Sequence, residues 1–445
     1  MLPLLALASF LAQDRVDTDP RRDDTITLTI SGSTDIDAVF RNRVLVDARG
    51  SLTTTTGAER GAGTIEGTVQ LRLTASLQES VTTSLLFRNE RLPGDGLLGA
   101  NPEGLGLIVK EAWLQFDGVL NPGVSLAIGA QPYSFDLRGR GSPFFFDPYH
   151  SESFFTDINA PSLVSALDSL QPTGAVVRYL TEEFEATVAA LVLIEGGTLK
   201  DKEIAGVGTV LGRFGRSRWG FMAAIDAVAG ARTSLLTFGG GLSYREFAGW
   251  ELYVEAYAQI GDRTEIIFGG QKASLSGIAH GFQLGARYET SHGRAPSATN
   301  YFLELNYTWL GNDHDITDDE ENRFISYENV NDLLVLESSL YGLDLDTNFM
   351  VLKILAGMSP WERVSISGAL GFAKLNAPAP FIPSLLNRTN DLGMEADVRV
   401  VYEFSRQVTI HFDGGVLTSS AFIKRNTSGA EDRAGVAVMG VVVRF

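Results

Sequence analysis

Alternation with a period of two runs through this chain from about residue 25 to its last residue. Side chains two apart share a face of a strand, so the pattern describes strands with one apolar and one polar side. Val69, Leu71, Leu73, Ala75 and Leu77 alternate with Thr68, Gln70, Arg72, Thr74 and Ser76. Trp250, Leu252, Val254, Ala256, Ala258 and Ile260 alternate with Glu251, Tyr253, Glu255, Tyr257 and Gln259. The same pattern recurs at 282–289, 303–309 and 394–402. Read along the whole chain it gives about 18 strands, an even number, as a bacterial membrane barrel requires. The 445 residues show no shift in composition that would divide them into two or three soluble domains. The expected fold is therefore all-β: a single transmembrane antiparallel β-barrel over 25–445, with a periplasmic segment at 13–24.

Connection lengths sharpen this expectation. Tight links fall at Gln78–Glu79, Gly118–Pro122, Glu182–Glu183, Phe214–Ser217, Arg245–Gly249, Ser359–Glu362 and Glu403–Arg406. Long links lie between them at 42–63, 91–106, 134–171, 261–279, 311–347, 373–391 and 418–433. Short periplasmic turns and long extracellular loops are the rule for outer-membrane barrels. A soluble sandwich has no reason to keep that parity. Aromatic residues at the strand ends beside the short turns, among them Tyr179, Phe184, Trp250, Tyr288, Tyr301 and Tyr402, predict an interfacial girdle. Phe40, Phe87, Trp309 and Phe372 predict a second one at the opposite ends.

Composition excludes other classes. A net charge of −18 argues against nucleic-acid binding and against a polybasic membrane anchor. No apolar run reaches the roughly 18 residues of a transmembrane helix, while barrel strands carry a weaker hydropathy signal. Cysteine is absent, which removes disulfides and thiolate chemistry. Residues 1–12 resemble the apolar region of a signal peptide, although they lack its basic flank. Phe445 ends an alternating strand with Val443 and Val441 on its face. Such a terminus resembles the signal read by the outer-membrane assembly machinery. Outer-membrane lipid and that machinery are the expected partners, and the outer membrane the expected location.

With the apolar face on lipid, the polar face lines a lumen. Arg72, Arg287 and Arg399 on the wall, with Arg138 and Arg140 in the long link 134–171, are the candidates for solute contact. Glu255, Glu395 and Asp397 would balance them. The inward set as a whole tilts acidic, and many of its members are expected to brace the wall as ion pairs. The link 134–171 holds so many rings, including Phe144, Phe145, Phe146, Phe154 and Phe155, that it either folds into the mouth or binds the rim or a neighbouring protein. Asp313, Asp315, Asp318, Asp319, Glu320 and Glu321 crowd the link 311–347 without the glycine and final glutamate of a helix-loop-helix calcium site. His411 and Asp413 share the inward face and could orient a base, but no serine stands in a nucleophile motif. No metal, cofactor or enzymatic activity is expected, and no Walker, Rossmann or zinc-hydrolase motif occurs. A barrel plugged by its own loops, structural or adhesive, is the alternative to a channel for passive diffusion of polar solutes. A barrel hydrolase comes third.

Three segments resemble the alginate-export family of outer-membrane porins. Gly129-Ala130-Gln131, then Asp136-Leu137-Arg138-Gly139 and Phe146-Asp147, is similar to the family's strand ending in Gly-Arg-Gln, its Gly/Arg-rich loop and its aromatic–Asp step. Ala130 stands where the family has arginine. Leu392-Gly393-Met394-Glu395-Ala396-Asp397 with Tyr402-Glu403-Phe404-Ser405 resembles a late strand of that family. Gly342-Leu343-Asp344-Leu345-Asp346-Thr347-Asn348, before the turn at Pro360, is the third match. The resemblance implies an 18-stranded barrel that passes a polysaccharide, an oligosaccharide or another polar solute.

Overall fold

The computed structural model describes residues 26–42, 62–77, 80–90, 107–119, 121–131, 137, 173–194, 202–228, 234–267, 271–290, 300–311, 324, 333–334, 349–376, 391–419 and 433–445. Eighteen strands form one sheet. In the first half they are β1 (Ile26–Asn42), β2 (Ala62–Leu77), β3 (Val81–Glu90), β4 (Leu107–Asp117), β5 (Val124–Ala130), β6 (Thr173–Leu180), β7 (Phe184–Ile194), β8 (Lys202–Phe214) and β9 (Ser217–Val228). The second half comprises β10 (Ser234–Tyr244), β11 (Trp250–Ile267), β12 (Gln271–Thr290), β13 (Asn300–Leu310), β14 (Phe349–Trp361), β15 (Val364–Leu375), β16 (Asp391–Glu403), β17 (Val408–Ser419) and β18 (Arg433–Arg444). The signal-like residues 1–12 and the segment 13–24 lie outside the described residues.

Every strand pairs antiparallel with its sequence neighbours, and β1 pairs with β18 from Ser33↔Arg444 to Asn42↔Gly435. The sheet is therefore a closed barrel without an edge, which is what lipid demands of a strand-built membrane protein. Phe445 completes the seam: its N–H donates to the Gly32 carbonyl at 3.0 Å, and the Gly32 N–H donates to the Phe445 carbonyl at 2.9 Å. Among the described residues no helix is long and apolar enough to cross a membrane.

The radial order is inverted relative to a soluble protein. Val188, Phe221, Ile225, Leu252, Val254 and Met439 are exposed on the outside, while Glu251, Glu255, Gln259, Glu304 and Asp413 are buried within. An outer apolar belt of this extent has no place in water and fits acyl chains. The girdle beside the short turns is a chain of ring contacts: Tyr179–Phe184 at 5.6 Å, Tyr244–Phe247 at 5.5 Å, Trp250–Tyr288 at 5.0 Å, Tyr288–Tyr301 at 6.3 Å and Tyr402–Phe404 at 6.4 Å. At the other ends Trp309 stacks on Phe282 at 5.4 Å.

The structure corrects two expectations. The link 261–279 is mostly ladder, because β11 and β12 continue from Gly261↔Gly277 to Ile267↔Gln271. β11 has 18 residues, against the roughly 9–11 that a crossing needs. Beyond the lipid nothing selects an apolar face, so alternation fades while the backbone ladder persists. The inner face is also not uniformly polar. Ala189, Leu191, Val207, Met222 and Ala224 point inward on β7, β8 and β9 and are buried.

Candidate functional site

The inner wall from β11 to β13 is a continuous hydrogen-bonded surface. Tyr253 donates to Glu304 Oε1 at 2.7 Å, and Asn306 Nδ2 donates to the Tyr253 hydroxyl at 2.6 Å. Thr308 donates to Asn306 Oδ1 at 3.2 Å, and Gln283 donates to the Thr308 hydroxyl at 2.9 Å. Arg287 joins through Nη1 to Glu304 Oε2 at 2.9 Å, and its guanidinium lies 4.1 Å above the Phe302 ring. Glycine makes this possible at Gly285, the cross-strand partner of Tyr253, where a β-carbon would collide with the Tyr253 ring. Aromatic rings laid over glycines hold register as well as shape. Sequence reading placed Tyr253 on the polar face but could not foresee this web. The signal was there in the inward glycines opposite inward aromatics.

The predicted contact residues fall into distinct environments. Arg72 is held by Glu111 through two parallel bonds of 2.8 Å, the fork geometry that makes arginine–carboxylate pairs strong. Its Nη1 also reaches the Ser84 hydroxyl at 3.3 Å, and Glu111 accepts the Trp113 indole N–H at 3.3 Å. Arg399 Nε stands 3.5 Å from Asp413 Oδ1. Glu255 is 1 % exposed and accepts the Tyr257 hydroxyl at 3.3 Å. Glu395 and Asp397 lie buried on β16, and Asp397 Oδ2 accepts the Leu334 N–H at 3.3 Å. Arg138 and Arg140 lie outside the described residues, as does the acidic run from Asp313 to Glu321.

The long connections enter the lumen at four described points. Leu137 is fully buried beside the inward-facing Gly241 and Glu255, with its Cδ2 2.6 Å from where a β-carbon on Gly241 would sit. Phe324 covers Gly281 at 3.0 Å in the same sense, Leu333 fills the notch at Gly371, and Leu334 covers Gly415 at 3.1 Å. Phe324 is tied further by its N–H to the Gly311 carbonyl at 3.2 Å. The wall around these seats carries buried Leu310, Leu375, Leu392 and Leu417. A bulge contributes one of them. Gly393 adopts φ +115° and the register breaks between Ala373 and Lys374, which turns Leu392 to the buried side. The lumen thus offers an apolar bed for its own loops near the outer ends of β13 to β17, beside a polar wall.

Closed barrels of this size are found among solved outer-membrane proteins. Pseudomonas aeruginosa OccK2 (OpdF) in complex with glucuronate is similar at a TM-score of 0.52 and 10 % identity, over 94 % of this chain and 98 % of that one. The same protein solved alone gives 0.52 and 11 %, over 94 % and 97 %. The fold is that of an outer-membrane β-barrel. Pseudomonas putida OprB covers the same share of both chains, 94 %, at a TM-score of 0.48 and 10 % identity. No protein-family model and no curated protein matches the chain in sequence.

Proposed function

We propose that this protein is an outer-membrane channel for passive diffusion of polar solutes. The observation that carries the reading is the inverted barrel itself: an apolar belt outside, and inside a wall of hydroxyls, amides and carboxylates from Tyr253 to Thr308. A hydrated path of this kind lets solutes move down their gradient without an energy source. The inventory suits hydroxylated solutes, whose groups both donate and accept. Three further points support saccharides as the class: the resemblance to alginate-export porins, the rings of the link 134–171, and the fact that a barrel of the same fold has been solved with glucuronate.

The wall favours cations over anions. Arg72 and Arg287 each face a buried carboxylate, so their charge is largely cancelled locally. Glu255, Glu395 and Asp397 are buried in the wall, so the acidic tilt of the inward set as a whole carries the preference, as charged rings of one sign set selectivity in channels. Assembly proceeds through β18 and its terminal Phe445, and residues 1–12 direct export. The test is single-channel conductance of the refolded barrel in a planar bilayer under a salt gradient. Ohmic current with a reversal potential of cation-selective sign is expected. Absence of current from a heat-modifiable, folded barrel would refute the channel and favour the loop-plugged structural barrel.

A further inference from the structure

Barrel closure brings together three side chains from the two ends of the chain. His411 on β17 pairs across the strands with Gly440 on β18, which in turn pairs with Asp37 on β1. Gly440 has no side chain, and a β-carbon there would collide with both Asp37 Oδ1 and the His411 ring. The imidazole and the carboxylate therefore meet across the intervening strand. His411 Nε2 stands 3.1 Å from Asp37 Oδ1 and 3.8 Å from Asp35 Oδ1. Its other nitrogen, Nδ1, is 3.3 Å from Asp413 Oδ2.

Two features go beyond a cluster of charges. Asp35 Oδ1 and Asp37 Oδ1 are both shut from solvent, and neither makes a well-aligned hydrogen bond among the described residues, although His411 Nε2 is near both. One ring N–H could serve at most one of them. Buried carboxylate oxygens left in this way are costly, and a cation relieves both at once. The spacing also fits. The three ligand atoms lie within 4.8 Å of one another, with 3.1 and 3.8 Å from Nε2 to the two carboxylates, so small side-chain rotations bring them to the roughly 3.3 Å separation of ligands about 2.0–2.1 Å from a tetrahedral zinc ion.

We propose that His411 Nε2, Asp35 and Asp37 form a binding site for a divalent transition ion of the zinc class, on the inner wall at the barrel seam. Asp413 holds the ring from behind, fixing the tautomer that presents Nε2, as carboxylates do behind metal-binding histidines. Arg399 holds Asp413 in turn. Asp35 and Asp37 keep 32 % and 15 % of their side chains open to the lumen, which gives the ion its route in and a water its place in the fourth position. One imidazole with two carboxylates selects a borderline ion over calcium or magnesium, which prefer all-oxygen sites. The bound ion would staple β1 to β17 across β18, at the point where the barrel closes.

The test uses the full-length barrel refolded in detergent and stripped with chelator, titrated with Co²⁺ and then Zn²⁺. One equivalent of Co²⁺ should give visible ligand-field bands that one equivalent of Zn²⁺ abolishes. His411→Gln and Asp37→Asn, which alter the ligands themselves, should each weaken binding by at least the roughly 10–100-fold that loss of an outer-shell partner costs while the barrel stays heat-modifiable. His314→Ala, in the outer acidic connection, should leave the bands in place. Should His411→Gln not fold, Asp35→Asn gives the same reading. No bands in the wild-type barrel, bands unchanged in the ligand variants, or bands lost in His314→Ala would each overturn the site.

Discussion

Replacing Leu333 and Leu334 by alanine should open the lumen without weakening the barrel. Both side chains are buried, one in the notch at Gly371 and the other over Gly415. Burial of a leucine side chain is worth about 1.5–3 kcal/mol, and truncation to alanine gives up most of that. The double variant therefore loosens the seat by about 3 kcal/mol. At 1.4 kcal/mol per factor of ten, the undocked population of the 311–348 connection rises by about 100-fold. Neither residue belongs to the strand ladder, so folding and heat-modifiability should be unchanged. Single-channel recording should show larger mean conductance and more frequent transitions. Limited proteolysis from outside should cut this connection faster. Gly371→Leu provides the converse route: filling the notch evicts Leu333, and the same phenotype follows from a substitution on the wall. Unaltered conductance and unaltered cleavage in both variants would refute the idea that these contacts hold a loop in the lumen.

Arg72→Ala should lower stability by about 2 kcal/mol. That is less than the 3–5 expected for a fully buried pair, because Arg72 is partly open to the lumen. A urea midpoint shift that persists undiminished in the Arg72→Ala/Glu111→Ala double variant would contradict the pairing. Glu246 joins two periplasmic turns by accepting the Arg216 N–H at 2.8 Å and the Ser217 hydroxyl at 3.0 Å, and the Arg216 bond leads in holding its carboxyl below the usual range. Because the folded-state value is depressed, the contribution is complete above the ordinary glutamate range and is lost as pH falls through the lowered value. The stability gap between wild type and Glu246→Ala should therefore close on acidification, and a gap independent of pH would sink this account. Removing the Phe445 side chain by Phe445→Ala should reduce the yield of folded barrel in cells, measured by gel shift, while single channels that do assemble conduct normally.

The strands were legible because lipid imposes a simple rule on one face. Trp250 to Ile260 shows that rule most plainly, while β7 to β9, apolar on both faces, show it less. Legibility ended where lipid ended. The ladder from Gly261↔Gly277 upward was hidden, because outside the membrane polar and apolar residues are chosen for other reasons. The inward faces were harder still. Leu137, Phe324, Leu333 and Leu334 belong to connections without periodicity, and each seat depends on a glycine far away in sequence. Leu392 violates the alternation of β16 through a bulge that only the positive φ of Gly393 reveals. His411 was recognisable as inward-facing, but its meeting with Asp35 and Asp37 needs the closure of β1 on β18, which no local pattern encodes.

That separation between ladder and lumen has a consequence for how the molecule fails. Two devices act at the seam: the paired backbone bonds between Phe445 and Gly32, and the contact of His411 with Asp37 across Gly440. Both span strands that are far apart in sequence, so both form late, when the loop-closure cost of bringing the chain ends together has been met. Lesions there should slow closure and lower the yield of barrel in cells, while the fraction that closes, including barrel refolded in detergent, stays heat-modifiable and conducts normally. The seats of Leu137, Phe324, Leu333 and Leu334 lie on a wall that is complete without them. Lesions there should alter current and leave assembly intact. Measuring folded yield and conductance for the same set of variants divides the residues into these two groups. A seam variant that assembles normally but conducts differently would show that closure and the path are one system instead of two.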